Sequence, residues 1–222
     1  MEHIPVLLDK VMEYLECIQE PGVVVDATLG LGGYSEKILS RYGQTIILGI
    51  DQDKRALDEA KERLSGFNDR IIFHHGNFRD LKSIAESHKI LPEAVVMDLG
   101  VSNMQLVDET RGFSYMKEGP LDMRMDQRLQ DDIGLTAAEV VNSYSEKELE
   151  DIFRNYGEER FARLIARGIV DHRNRLGAIE TTLQLVESIR GSLPQPVQRK
   201  MGKHPARRVF QALRIFVNQE LE

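Results

Sequence analysis

Asp26, Gly30, Gly32, Gly33, Asp51, Asn77, Phe78 and Asp98 stand at, or a few residues beyond, the ends of four successive β-branched runs. Together they suit a nucleoside. Glycines after a first strand let the chain turn sharply and remove the Cβ that would hold a ligand off the backbone. Asp51 closes the second run, twenty-one positions after Gly30, where an acid can accept both hydroxyls of an adenosine ribose. Phe78, in "HHGNF", can stack on a purine while Asn77 bonds the base edge, and Asp98, in "VVMDLG", ends the fourth run. Each has a plainer reading: Asp51 or Asp53 as a helix cap, Phe78 as core, Asp98 as a loop cap. Those readings leave unexplained why ligand-competent residues close all four runs.

What the pattern lacks narrows the ligand. A dinucleotide turn wants G-x-G-x-x-G/A, but the chain reads Gly30, Leu31, Gly32, Gly33, Tyr34, Ser35. No G-K-[ST] is present, which excludes a phosphate-cradling loop. The form D-x-x-x-G-x-G-G, its acid inside the strand end, is the S-adenosyl-L-methionine turn of Rossmann-like methyltransferases, and that ligand has no phosphate to cradle. His, Cys and Asp do not cluster at metal-ligand spacing, so no protein-held metal is expected. The single cysteine, Cys17, reads as a small buried hydrophobe at the end of an amphipathic helix. Covalent methylation at cytosine C5 would need a cysteine beside the cofactor.

The elements that must position these residues alternate. Short apolar runs at 23–26, 45–50, 71–74 and 94–98 are separated by helical patterns, which predicts βαβ units and a parallel sheet covered on both faces. Beyond Leu99 the strand pattern stops. Residues 100–132 read as loop, Ser145 with Glu148 forms a capping box for a helix through Tyr156, and 158–173 and 181–190 are helical by period. A linker is expected over 191–203, and Pro205 opens a last helix striped with Val209, Phe210, Leu213, Phe216, Val217 and Leu221. The domains predicted are 1–104, binding the cofactor; 105–203, a mostly helical insert; and 204–222, a helix returning to the first domain. The formal charge of −7 hides a division, because residues 160–214 carry twelve Lys or Arg against three acids. Such asymmetry fits an acidic body with a basic surface that can lie on phosphates; the alternative is a solvated helical face. Nothing at the N-terminus resembles a signal peptide or membrane span, which predicts a cytoplasmic protein with no membrane partner.

"DLGVSNMQL" (98–106), "RGFSYMKEGPLDMRMD" (111–126), "YGEERFARLIARGIV" (156–170) and "HPARRVFQALRIFVNQEL" (204–221) closely resemble the RsmH family, also called MraW. These are bacterial 16S rRNA (cytosine-N4)-methyltransferases, and "HIPVLLDKVMEYL" and "DATLGLGGYS" match them in the same order. The resemblance implies methyl transfer from S-adenosyl-L-methionine to the exocyclic N4 of a cytidine in the decoding region of 16S rRNA, with the small ribosomal subunit as the expected partner. It places the donor site on Gly32, Gly33, Tyr34, Asp51, Phe78, Asp98 and Gln105, with Tyr34 and Gln105 resting on resemblance alone. Asp98 is the candidate acceptor for the target amine, whose lone pair is otherwise delocalised into the ring. Asp122 and Arg124 are expected near the target base, and Arg163, Arg167, Lys203, Arg207 and Arg208 on phosphates.

The chain departs from the family pattern in places. Tyr34 stands where His is usual, Asn103 where Ser is usual, and Arg207 and Val209 where two Thr are usual. Family members continue for several more strands, so the expected sheet is a Rossmann-like order of 3-2-1-4 whose fourth strand is an exposed apolar edge. A fragment of a longer protein, or a shortened relative that covers this edge by pairing with a second copy, is expected. The competing function is an RNA-binding or ribosome-assembly relative that keeps the shape without turnover.

Overall fold

The computed structural model describes residues 5–126, 134–200 and 202–221. The chain divides into two compact units, Met1–Gly100 and Val101–Glu222.

In the first unit, α1 (Leu8–Glu16) precedes β1 (Val23–Asp26), α2 (Gly33–Arg41), β2 (Ile46–Asp51), α3 (Lys54–Arg63), β3 (Ile71–His75), α4 (Leu81–Ser87) and β4 (Ala94–Val96). The four strands are parallel, as the alternation of runs predicts, and lie in the order β3-β2-β1-β4 that the family resemblance implies. Strand periodicity sends neighbouring side chains to opposite faces. Val24 and Ile47 join Met12, Leu15, Ile38, Leu39, Leu57 and Leu64 beneath α1, α2 and α3. Val25, Leu48 and Ile50 face the other way, with Ile84 of α4. Each such buried aliphatic side chain contributes about 1.5–3 kcal/mol. β4 pairs with β1 alone among the described residues, and Val95 within it and Met97 and Leu99 just past its end are 44%, 46% and 51% exposed. The expected apolar edge is present.

The second unit is helical: α5 (Asn103–Val107), α6 (Ala137–Ser143), α7 (Glu146–Asn155), α8 (Ala162–Leu176), α9 (Thr182–Ser192), α10 (Gln195–Lys200) and α11 (Arg207–Asn218). Its core joins Val140, Leu149, Phe153, Ile165, Ile169, Leu185 and Ile189 to Val209, Phe210 and Leu213 of α11. Three expectations change here. The boundary falls after Gly100 instead of residue 104. The last helix, expected to return to the first domain, buries its apolar stripe in the core of the second unit, against α6 and α7. The linker over 191–203 contains α10, which Pro194 initiates by accepting from Val197 N–H at 2.9 Å. Residues 111–126, read as loop, are irregular yet built into the core through Phe113, Leu121, Met123 and Met125. Asn218 fastens them, accepting from Met125 N–H at 2.7 Å and donating to the Met123 carbonyl at 2.7 Å.

Among the described residues no helix is long and apolar enough to cross a membrane, and no three His, Cys, Asp or Glu converge as metal ligands. Cys17 is exposed, contrary to expectation. It follows α1 as its C-cap, past the buried stripe of Met12 and Leu15.

Candidate donor site at the strand tips

Asp26 ends β1 with no solvent exposure. Its Oδ2 accepts from the Ser35 hydroxyl at 2.7 Å, and its Oδ1 is buried without a partner. Burial, opposed by the Ser35 hydrogen bond and reinforced by the charge of Asp51, pushes its pKa up to about 6. An orphan carboxylate oxygen under a glycine turn is costly unless a cation or donor reaches it. The sequence reading placed this acid in the turn motif but gave it no contact; the signal was its position inside the strand end, which guarantees burial.

The turn itself is held by the second strand. Asp51 Oδ2 accepts from Gly30 N–H at 2.7 Å and its Oδ1 from Asp53 N–H at 2.8 Å. One acid therefore anchors the glycine turn and the approach to α3, whose N-cap is the Asp53 side chain, accepting from Arg55 N–H. Burial is the main cause that pushes Asp51 up to about 6. The Gln52 backbone N–H also stabilises this carboxylate, so Asp51 is held by three backbone donors from the turn and the start of α3.

The glycines divide their work. Gly30 and Gly32 have φ of +51° and +77°, a left-handed backbone that favours glycine. A Cβ on Gly32 would meet Leu64 Cδ1 at 2.7 Å, and one on Gly33 would meet Pro5 Cγ at 2.6 Å. At those two positions the missing side chain therefore makes room for the chain's own packing. At Gly30 the space is open, with the Thr28 carbonyl nearest at 3.9 Å.

Tyr34 lies in the first turn of α2 with its ring 7% exposed in the core. Its hydroxyl reaches the Val6 carbonyl at 2.5 Å and Asp98 Oδ2 at 3.4 Å. Burial first, then the charge of Asp98, pushes the phenol up to about 12. Asp98 stands two residues past β4 with an exposed side chain, and its N–H donates to the Thr28 hydroxyl at 2.7 Å. Thr28 thus carries the first strand's exit across to the fourth. Phe78 begins a short 3-10 turn past β3 and packs, half-buried, against the cluster of Val25, Leu48 and Ile50. Asn77 is engaged by the protein, accepting from Arg79 N–H and donating to Gln52 Oε1 at 3.1 Å. Its expected bond to a base edge would have to replace the contact with Gln52.

The remaining predicted residues belong to the second unit. Gln105 is 5% exposed and closes a capping box at α5, its side chain accepting from Ser102 N–H at 3.1 Å while its own N–H donates to the Ser102 hydroxyl. Asp122 and Arg124 grip each other, Nε on Oδ1 at 2.9 Å and Nη2 on Oδ2 at 2.7 Å, and Asp122 raises the Arg124 pKa. The Asp122 carbonyl also accepts from Ala137 N–H at the start of α6. Arg163 and Arg167 are exposed one turn apart on α8. Lys203 is exposed before α11, and Arg207 and Arg208 are exposed in its first turn, with Arg208 Nη1 donating to the Glu158 carbonyl at 2.6 Å.

Comparisons with known proteins bear on this arrangement as a whole. The chain is 49% identical to the ribosomal RNA small subunit methyltransferase H of Clostridium botulinum (strain Loch Maree / Type A3), over 100% of this chain and 69% of that protein. It is 45% identical to the protein of the same name from Salinispora tropica, over 99% of this chain and 59% of that one. A solved rRNA methylase from Streptococcus thermophilus is 18% identical, with a TM-score of 0.36 over 62% of this chain and 84% of that chain. The glycine turn, the strand order and the helical second unit all fall within residues 1–222, and it is over these residues that the family profile matches: the chain belongs to the MraW methylase family.

Proposed function

We propose that the strand tips of the first unit bind S-adenosyl-L-methionine and that the chain methylates the exocyclic N4 of a cytidine in small-subunit rRNA. The buried, partnerless Oδ1 of Asp26 is the observation that carries the donor assignment, since the donor presents both an ammonium and a sulfonium where a phosphate-bearing cofactor presents anions. When bound, the donor supplies an electrophilic methyl group. Asp51, already fixed by Gly30 and Asp53, accepts the ribose hydroxyls. Phe78 offers its exposed face to the purine at the next strand tip. Asp98 accepts a hydrogen bond from the target amine, which frees the nitrogen lone pair from the ring and lets the nitrogen become tetrahedral. Gln105 completes the set that the family resemblance assigns.

The second unit supplies the RNA surface. Arg207 and Arg208 put two cations into the first turn of a 12-residue helix, where the helix dipole disfavours them by some tenths of a kcal/mol each. A phosphate at that place removes the conflict. Arg163, Arg167 and Lys203 extend the same sign of charge over the unit. The target base must leave its stack to be methylated, at a cost of a few kcal/mol that these contacts offset. Asp122 and Arg124, locked together, offer a rigid edge for the base rather than two independent contacts.

Tritium transfer from labelled donor into immature small subunits, compared with protein-free rRNA, tests the reading. The expected product is N4-methylcytidine on nucleoside analysis, with Asp98→Ala reducing the rate by about a hundredfold. Donor binding by calorimetry with no transfer into either RNA would favour the competing view of a relative that binds without turnover.

A further inference from the structure

We propose that Tyr34 is a positioning residue for Asp98. This rests on the assignment of Asp98 as acceptor of the target amine. The Asp98 side chain is exposed, and free rotation would spread its two oxygens over many directions. The Tyr34 ring cannot move in the same way, being 7% exposed and packed in the cluster with Ile38, Leu39 and Val96. It delivers one hydroxyl to Oδ2 of Asp98 at 3.4 Å, while Oδ1 has no protein partner among the described residues. A carboxylate restrained at Oδ2 presents Oδ1 in a fixed direction, which is what an amine hydrogen-bond acceptor needs. The Asp98 backbone is restrained too, by Thr28 at 2.7 Å.

The same hydroxyl reaches the Val6 carbonyl at 2.5 Å, and Pro5 lies against Gly33. A phenol has a single proton to donate, and the Val6 carbonyl at 2.5 Å is its nearer acceptor, with Asp98 Oδ2 at 3.4 Å the longer, secondary one. Position 34 thereby ties the segment preceding α1, the glycine turn and Asp98 into one contact. Histidine, usual in the resembling family at this position, is shorter and carries no hydroxyl, so the device is built on a residue where this chain departs from that pattern.

The test is a double-substitution cycle on Tyr34→Phe and Asp98→Asn, which keeps the buried ring and the carboxamide shape. Tyr34→Phe is expected to lower kcat about tenfold while donor affinity by calorimetry and KM for RNA stay within about threefold. Combined with Asp98→Asn it is expected to cost nothing beyond Asp98→Asn alone. Additive losses, or a donor affinity that falls as far as kcat/KM, would overturn the proposal. A second readout leaves position 34 intact: with tyrosine 13C-labelled at Cζ, Asp98→Ala moves the Tyr34 resonance at neutral pH and leaves those of Tyr144 and Tyr156 in place. An unmoved Tyr34 resonance overturns the contact whatever the rates show. If the unsubstituted chain transfers no methyl group, the functional reading itself fails and the positioning role with it; transfer with an additive cycle removes only the role of Tyr34.

Discussion

Asp26 and Asp51 are held with pKa values near 6 against the ordinary 3.8, burial being the first cause for both. A carboxyl whose folded value lies above its unfolded value binds more protons when folded. Stability from it is therefore present below about pH 4, is lost as pH rises to about 6, and is missing at neutral pH. For the fully buried Asp26 the loss is about 1–3 kcal/mol. Asp26→Asn is accordingly expected to raise the melting temperature at pH 7.5, with the gain closing as the pH approaches 4. The same substitution is expected to weaken donor binding about tenfold, as removal of a charge that faces a cation. Thermal scans across pH together with calorimetry check both signs, and an unchanged melting temperature would show that the carboxylate is already satisfied. Asp51→Asn is expected to behave differently. An amide at that position must turn an N–H₂ toward either Gly30 N–H or Asp53 N–H, so it loosens the turn and lowers both stability and donor affinity.

At the scale of elements, local signals were legible wherever a side chain answers its own backbone. The Ser145 and Glu148 capping box was readable because both partners lie within one turn, and the structure shows it with Glu148 Oε2 accepting from Ser145 N–H at 2.8 Å. Ser145→Ala is expected to cost about 1 kcal/mol, measured by chemical denaturation. The four strands were readable for the same reason, since β-branched runs between helical periods admit few other arrangements. What packs against what was not readable in this way. The stripe Val209, Phe210, Leu213 announces a buried helix face but not the partner, and only the fold assigns it to Phe153 and Leu149 of α7. Phe210→Ala, at 3% exposure, is expected to cost about 3–5 kcal/mol and to unfold the second unit first, visible as loss of hydrogen-exchange protection in α7 and α11 before the β-strands.

At the scale of the whole molecule, charge is partitioned: residues 160–214 carry twelve basic side chains against three acidic ones in a chain of net charge −7. RNA affinity should then fall with salt, each phosphate contact adding about 0.7–0.9 to the slope. Arg208→Ala and Arg163→Ala are each expected to flatten that slope by about one unit. Arg124→Ala is expected to act mainly through stability, because its guanidinium is committed to Asp122. Filter-binding over a salt series distinguishes these outcomes, and an unchanged slope for Arg208→Ala would remove it from the contact surface.

The order of amino acids by itself determined the strand and helix types, the glycine turn and the acids that close successive strands, because these depend on periodicity and on residue chemistry within a few positions. It also carried the family, through long motifs in fixed order. Tertiary structure alone decided that Gly32 and Gly33 serve Leu64 and Pro5, that Asp122 and Arg124 spend their charges on each other, and that α11 belongs with α7. It alone exposed the orphan oxygen of Asp26 and the Tyr34 hydroxyl that reaches Val6 and Asp98. The physical reason is common to all but the Asp122–Arg124 pair, whose partners lie two residues apart and are set by the local backbone: burial and hydrogen-bond satisfaction depend on atoms brought together from separate elements, and no local pattern encodes how far apart those atoms finish.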